Sequence, residues 1–555
     1  MRWLALFLLI STVDGQLLPD LAPRIPAPEP VESLPPIRAG GGGLEGTGSV
    51  LVEKLSGFVL ESWSGAGIEE LADGLSASTD LRVPSPKTLS KKLGEWLNGP
   101  LTEGDLMALA DMILIHYDVE GYPVVGLEVP EQDFRDGKLH WLVEIGRVGR
   151  VGVTRPKYGS AEALQDGLWL QSGALLERRY LGEQLSWYGR SVFRNPRLFV
   201  SPGEEPATAD ILIAMEEQKP WRVTFGYENS GADVLGVDRF LFGAVGMTSG
   251  EQLIAWQTVL GAPVSSLQAH ALHWEVPFHH LHQSLILDAG YAEVSSLTLS
   301  PVAPGTFNVV QNDGTSWSLS AGQRFHFATP GGWSQSLTAG IEVKATDQFV
   351  LFGAQRVVPG EVRFVSAKTL YDLGKTWEDG SVSFNASLVV SPGNLISGNH
   401  DADFRAYDPR ADSSYRIARL SGLGWWSPGG DWRLLLRGAG QWTDSRLLPV
   451  EQFAAGGETT VRGVAERQYF SDNGWQTSFE AYTPSWSPID RCQMRFLGFV
   501  DHAWLKNRGQ SSTSLSSTGF GVRMMFTEHL DLRVDHGWRL DENENRSHLG
   551  LMVTF

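Results

Sequence analysis

Trp317-Ser318-Leu319-Ser320-Ala321-Gly322-Gln323-Arg324-Phe325-His326-Phe327 decides how the second half of this 555-residue chain is read. Trp317, Leu319, Ala321, Phe325 and Phe327 occupy odd positions, and Ser318, Ser320, Gly322, Arg324 and His326 occupy even ones. Successive side chains of a β-strand point to opposite faces, so the two sets line opposite sides of a sheet. The pattern recurs. In residues 221–227, Trp221, Val223, Phe225 and Tyr227 oppose Arg222, Thr224 and Gly226. In residues 333–345, Leu337, Ala339, Ile341 and Val343 oppose Ser336, Thr338, Glu342 and Lys344. In residues 382–390, Phe384, Ala386 and Leu388 oppose Ser383, Asn385 and Ser387. From Trp221 to Phe555 there is no convincing amphipathic helix.

A soluble sandwich buries the apolar face, whereas a membrane barrel turns it to lipid and keeps the polar face for the lumen. Three features favour the barrel. The segment from Trp221 holds 335 residues, enough for about 16 strands at roughly 20 residues each with turns. Trp221, Trp317, Trp333, Trp442 and Trp538 read as strand ends, where an interfacial aromatic girdle sits. Residues 549–555 alternate and finish on Phe555, which suits a last strand that must pair with the first, because an open edge in lipid leaves backbone groups unpaired. Composition agrees: 20 Trp, 25 Phe, 12 Tyr and 62 Gly at a mean hydropathy of only −0.13. There is no run of about 18 apolar residues to make a membrane helix. A formal charge of −19 excludes nucleic acid as a natural partner. The single Cys492 excludes a disulfide framework or a multi-cysteine metal site.

Residues 1–15 read as a secretory signal, with Arg2 before a short apolar core. Residues 16–47 read as a linker: Pro19, Pro23, Pro26, Pro28, Pro30, Pro35 and Pro36 precede Gly40, Gly41, Gly42 and Gly43, which makes a long helix there untenable. Two small α+β modules follow, at 48–146 and 147–219. In the first, Thr102 caps a helix on which Leu106, Leu109, Ala110, Ile113, Leu114 and Tyr117 recur, and Gly121 ends it. Leu139, Trp141 and Val143 then mark a strand. In the second, a strand near 148–154 and a helix near 175–188 precede strands at 198–200 and 211–215. Residues 65–86 read as a Ser/Gly/Pro-containing insertion. Residues 16–220 carry 30 acidic and 19 basic side chains, so the modules are acidic.

Several motifs then stand out. Gly121-Tyr122 is followed by Pro130, Gln132, Asp133, Phe134 and Gly137. Asn195-Pro196 and Ser201-Pro202-Gly203 lead to Lys219-Pro220-Trp221. Further on come Phe453, Gly456-Gly457, Thr460, Val461-Arg462-Gly463, Asp472-Asn473-Gly474-Trp475, Glu480 and Phe499-Val500-Asp501-His502-Ala503. Together these resemble the TpsB transporters of two-partner secretion, the haemolysin-secretion and filamentous-haemagglutinin transporter type, within the superfamily that joins POTRA domains to an outer-membrane barrel. The resemblance implies a membrane all-β fold: a 16-stranded transmembrane antiparallel β-barrel at 220–555 preceded by two α+β POTRA domains. It implies no enzyme activity and no cofactor. It implies a Val461-Arg462-Gly463 loop folded into the lumen, with Arg462 paired to Asp501 of the Phe499/Asp501/Ala503 strand motif. An Arg in a narrow barrel needs a carboxylate, and a guanidinium can meet it in bidentate fashion. The other reading is a solvated Arg in an external loop. The partners implied are a secreted exoprotein with an N-terminal secretion domain, bound by the POTRA domains in the periplasm, outer-membrane lipid, and the barrel-assembly machinery during biogenesis.

The chain departs from that pattern at Val464, where the family carries an aromatic residue, and at Ala503, where it carries Gly. Some members hold an N-terminal helix as a plug, which the proline-rich segment argues against. His270, His273, His279, His280 and His282 cluster, but no recognised metal spacing completes them, so they read as a strand and a polar turn. Cys492 reads as a packing residue. Arg324, Glu342, Lys344, Arg433 and Arg437 read as a wet pore lining. An outer-membrane assembly factor, a passive porin and a secreted β-rich enzyme are the competing functions. Room for only two POTRA domains, the Val-Arg-Gly loop and the lack of catalytic motifs argue against them in turn.

Overall fold

The computed structural model describes residues 49–555 apart from Val234, 304–305, 330–332, 353–354, 357–360 and 528. The expected signal, linker and absence of a helical plug lie outside the described residues.

The first module is a five-stranded sheet carrying two helices. Its elements are β1 (Gly57–Glu61), β2 (Ile68–Ala72), β3 (Leu75–Ser78), α1 (Pro86–Leu93), α2 (Glu103–Val119), β4 (Val125–Glu128) and β5 (Lys138–Ile145), with sheet order β2-β3-β1-β5-β4. At the start of α2, Asp105 Oδ2 accepts from the Thr102 backbone N–H (2.8 Å) and hydroxyl (2.6 Å), satisfying helix-end donors. Leu106, Leu109, Ile113 and Tyr117 then pack on Phe58, Leu60, Leu139 and Trp141. Residues 65–86 are not an insertion: they carry β2 and β3, part of the sheet itself. Their strands are four or five residues long, too short for alternation to be read.

The second module holds β6 (Arg147–Val153), α3 (Ala161–Asp166), α4 (Arg178–Tyr188), β7 (Arg194–Pro202) and β8 (Thr208–Glu217), with sheet order β6-β8-β7. Leu181, Leu185, Trp187 and Tyr188 of α4 cover Val148, Ile211 and Ile213. The short α3 is not legible in the sequence, because its six residues span too few turns to set a period.

The barrel is a closed antiparallel sheet. Its strands are β9 (Trp221–Glu228), β10 (Arg239–Met247), β11 (Leu253–Gly261), β12 (Leu267–Phe278), β13 (Gln283–Ala303), β14 (Thr306–Thr329), β15 (Trp333–Phe352) and β16 (Val362–Trp377). They continue with β17 (Gly380–Ser391), β18 (Tyr415–Gly429), β19 (Trp432–Thr443), β20 (Asn473–Tyr482), β21 (Cys492–Lys506), β22 (Ser512–Phe526), β23 (Leu530–Arg539) and β24 (Asn545–Thr554). The extra pair Gln355–Arg356 bonds only to the far end of β15, which also pairs directly with β16, so among the described residues 16 strands form the wall. β24 closes it on β9, from Thr224↔Thr554 to Glu228↔Gly550. Phe555 N donates to Val223 O (2.9 Å), and Phe555 O accepts from Val223 N (3.2 Å).

Side-chain exposure decides the sidedness. Ile341 is 64% exposed on the outer face, while its neighbours Glu342 and Lys344 are 8% and 6% exposed inside. Leu319, Phe384, Leu388, Phe520 and Phe555 also point outward. An apolar outside around a polar inside is the membrane barrel's arrangement. Trp221, Trp333, Trp442 and Trp538 lie at or near strand ends, but Trp317 does not: it is midway along β14. β13 to β15 run past their neighbours, so Trp317 pairs with Tyr291, itself opposite His270 near the far end of β12.

The near end of the barrel, where β9 enters, packs on the second module. Arg194 lies between Glu217 (2.9 Å) and Glu251, with all three side chains buried. Arg190 also pairs with Glu251 and lies 3.9 Å from the Trp187 ring centre. His282 is stacked between Trp169 (3.6 Å) and Trp187 (4.9 Å). Its Nε2 is 2.8 Å from Gly167 O, and Trp169 Nε1 donates to His280 O at 3.0 Å. The polar turn of the histidine stretch is therefore a docking element. His270 and His273 stay on β12, beside Thr258 (2.8 Å) and Asp288 (2.6 Å).

Burial holds the His282 imidazole down at about 4 and lowers His279, with the Arg190 charge adding to both. An undocked imidazole titrates near ~6.5. The docked form is thus the neutral one, favoured fully above ~6.5 and progressively lost as pH falls towards about 4. A spin-pair distance between the second module and the barrel should broaden over that window. His282→Phe should flatten the profile, and an unchanged profile in that variant contradicts the assignment.

Candidate functional site: the loop inside the barrel

Between β19 and β20 the chain does not turn tightly. Residues 444–472 fold back into the lumen as a short hairpin, Phe453–Ala455 against Tyr469–Ser471, with its tip beyond. Val461 and Val464 of the tip are fully buried and pack with Phe453 and Ala455 against Ala503, Leu505 and Leu515 of the wall. Val464, where the chain departs from the motif it resembles, fills this cluster with an aliphatic group.

The tip carries Arg462, whose guanidinium is almost fully buried. Its Nε donates to Asp501 Oδ2 (2.8 Å) and its Nη2 to Asp501 Oδ1 (2.7 Å), a bidentate pair that fixes orientation as well as charge. The Arg462 backbone N–H donates to Asp501 Oδ2 at 3.0 Å. Nη2 also reaches Ser478 Oγ (3.0 Å), and Nη1 pairs with Glu480 (2.9 Å) and approaches Asp535 (3.9 Å). The guanidinium carbon lies 3.4 Å from the Phe499 ring centre, within reach of the cation–π attraction. So the structure brings together Val461, Arg462 and Gly463 of the loop with Phe499, Asp501 and Ala503 of β21.

The alternation of the wall makes this possible. Ser478 and Glu480 on β20, Asp501 on β21 and Asp535 on β23 all face inward. Arg437 pairs with Glu480 (3.2 Å), and Arg523 holds Asp535 through two bonds (2.8 and 2.9 Å). Arg437, Arg462 and Arg523 therefore balance Glu480, Asp501 and Asp535. Buried charges persist where they are paired and hydrogen-bonded in this way.

Glycines clear the ground for the tip. Gly463 has φ +95°, and a Cβ there would meet Gly537 O of β23 at 2.9 Å. A Cβ on Gly537 would in turn lie 2.7 Å from the Arg462 carbonyl carbon. Backbone meets backbone here, and no side chain fits between.

The loop has further anchors that sequence reasoning missed. Glu458 pairs with Arg533 of β23. Glu451 takes Arg419 of β18 (2.8 Å) and Lys344 of β15 (3.1 Å). At the roots, Arg446 bridges Asp472 (3.0 Å) and Asp408 (2.7 Å). The one signal available is a charge on an inward strand position, as at Arg419, Arg533 and Asp535; nothing local marks Glu451 or Glu458. The expected wet lining also needs correction. Lys344 and Glu342 are buried where the loop's Glu451 meets the wall, while Arg324 pairs with Glu275 and Arg437 with Glu480 along the wall and both stay partly exposed.

The motif residues of the first module are turn formers. Gly121 has φ +101° after α2. Tyr122 is buried edge-on to Tyr117 at 6.2 Å. Gln132 brackets His140 of β5, accepting from its N–H (2.8 Å) and donating to its C=O (3.0 Å), and donates to Pro130 O (3.3 Å). Asp133 accepts from Arg135 N (3.2 Å), and Gly137, at φ +72°, immediately precedes β5. Cys492 is buried at the start of β21.

Known proteins share this architecture. Residues 257–524 match the family model described as haemolysin secretion/activation protein ShlB/FhaC/HecB. Among solved structures, CdiB from Escherichia coli is similar over 95% of this chain and 94% of its own, at 17% identity and a TM-score of 0.74. CdiB from Acinetobacter baumannii is similar over 91% of this chain and 90% of its own, at 14% identity and a TM-score of 0.68. At these identities the two structures speak for the fold, modules and barrel together. No curated protein matches the chain. Through residues 257–524 of its barrel the chain is similar to the haemolysin secretion/activation proteins ShlB/FhaC/HecB, and this match together with the shared fold indicates an outer-membrane two-partner secretion transporter.

Proposed function

We propose that the chain carries one separate exoprotein from periplasm to cell surface, that the two modules lie in the periplasm and receive its unfolded N-terminal secretion domain, and that the lumen loop leaves the path during passage. The observation that carries this is how the loop is attached. Arg462, Glu458 and Glu451 hold it to the wall through side chains, while the ladder of 16 strands closes without it. Side-chain pairs can part and re-form without unzipping a barrel whose backbone bonds have no alternative partners in lipid.

The modules supply edges for an extended chain. β2 and β4 bound the first sheet, and β6 and β7 bound the second, and an unfolded segment adds to such edges by main-chain bonding. Outer-membrane lipid holds the apolar outer face, and the barrel-assembly machinery inserts it. Passage makes and breaks no covalent bond in the cargo, so the exported chain leaves with unchanged mass.

Co-expression with a candidate secreted exoprotein partner tests the reading. Export should be abolished by deleting residues 49–219, with the barrel still inserted and other outer-membrane proteins at normal levels. Continued export by the isolated barrel, or a general loss of outer-membrane proteins, overturns it.

A further inference from the structure

The lumen loop is pinned at two places on different walls. Its tip meets β20, β21 and β23 through Arg462. Its root meets β15 and β18 through Glu451, a carboxylate 1% exposed. Glu451 Oε2 accepts from Arg419 Nη2 (2.8 Å) and Oε1 from Lys344 Nζ (3.1 Å). Tyr415 and Gln441 close the cage: the Tyr415 hydroxyl is 3.5 Å from Oε1, and Gln441 Nε2 donates to the Glu451 backbone carbonyl (2.8 Å). Gln441 is itself held by Arg419 Nε (2.8 Å), and Glu342 pairs with Lys344 (2.9 Å). Lys344 and Arg419 thus meet Glu342 and Glu451 in a second buried ionic centre.

The two anchors differ in what lies around them. Beside the root, Leu447, Leu448 and Val450 pack into an apolar cluster with Val362, Phe364, Val389, Tyr415 and Ile417 of the wall. α5 (Asp401–Tyr407), in the loop between β17 and β18, adds Phe404 to that cluster, its ring 5.1 Å from Phe364. Asp472, at the other root, accepts from Arg446, Gln452 and the Leu447 backbone. Moving the root would strip two strands of a shared carboxylate and open an apolar core to water. Moving the tip breaks the polar ring around Arg462, the Glu458–Arg533 pair, a glycine contact and the smaller apolar patch of Val461 and Val464 on Ala503, Leu505 and Leu515.

We propose that Glu451 is the positioning residue of the loop: it fixes the root as a pivot, so that the tip alone leaves the β20–β23 wall when the lumen clears. The inference rests on the transporter reading for its purpose, but its geometry can be tested without cargo.

The experiment is thiol accessibility on the purified full chain in liposomes, in a Cys492→Ser background, with a membrane-impermeant maleimide. Val464→Cys reports on the tip and Val450→Cys on the root; both positions are buried in the resting chain. Adding Arg462→Ala should raise labelling at the tip at least tenfold and leave the root within twofold. Adding Glu451→Gln, which keeps shape and removes charge, should raise labelling at the root at least tenfold. Lys344→Met should act in the same direction as Glu451→Gln, and Glu451→Asp should restore most of the protection. Heat-modifiable gel mobility checks that each barrel is folded. Equal exposure of tip and root in Arg462→Ala, or a root still protected in folded Glu451→Gln and Lys344→Met, overturns the pivot. Either result leaves the export reading standing, since that is judged by cargo at the cell surface.

Discussion

Asp501→Ala is expected to cut export of the partner exoprotein at least tenfold and to replace a quiet pore with one that flickers between large conductance levels. Asp501 is fully buried and holds Arg462 through both guanidinium bonds and the backbone N–H. Removing one member of a buried pair strands the other charge and costs about 3–5 kcal/mol. At ~1.4 kcal/mol per factor of ten, that shifts the docked-to-undocked ratio of the tip by about two to four orders of magnitude. Glu480 and Asp535 remain nearby, so Arg462 keeps partial partners at 2.9 and 3.9 Å. Asp501→Asn should therefore be milder than Asp501→Ala, since an amide oxygen can still accept one bond. Arg462→Ala should resemble Asp501→Ala, and the double variant should be little worse than either single one, because the two act as one unit. Export assays with planar-bilayer recordings check all four proteins. Wild-type export together with unchanged conductance in both single variants removes the pair from the mechanism.

The second large effect belongs to a residue with no side chain. Gly537→Val should expel the loop tip without touching a charge. Its Cβ would come within 2.7 Å of the Arg462 carbonyl carbon and 2.8 Å of its oxygen. Backbone on both sides leaves no flexible end to yield, so the tip must lift. The expected result is a folded, heat-modifiable barrel with raised and unsteady conductance and export reduced as far as in Asp501→Ala. Gly498→Ala makes a useful contrast on the same wall, since the added methyl would find its nearest neighbour, Gly519 O, only at 4.0 Å; it should behave as wild type. A silent pore in Gly537→Val contradicts the contact.

Much of this is legible in the chain. Period-two alternation around Trp317 and Ile341 is a property of consecutive residues, and it marks a sheet with one apolar face wherever the strands go. The meeting of Arg462 with Asp501 comes from the resemblance of two motifs to a known loop and strand, and the distances place them in contact. Other features escape a reading of the chain. Residues 65–86 hide two short strands among glycines. Trp317 sits mid-strand because β13 to β15 overrun their neighbours, which a local pattern cannot report. The histidine turn reads as merely polar until Trp169 and Trp187, from far earlier in the chain, close around His282.

Residue spacing alone establishes that residues 221–555 form strands with one apolar and one polar face, and that acidic α+β modules precede them. Both conclusions depend only on covalent neighbours and the geometry of strand and helix. What fills the lumen, and what holds it there, is settled by the folded chain and by nothing local. Glu451 meets Lys344 across 107 residues of chain, and His282 meets Gly167 across 115. Such contacts exist only once the barrel has closed, because closure alone brings β15, β18 and β23 around the same loop and turns a carboxylate unremarked in the sequence into its anchor.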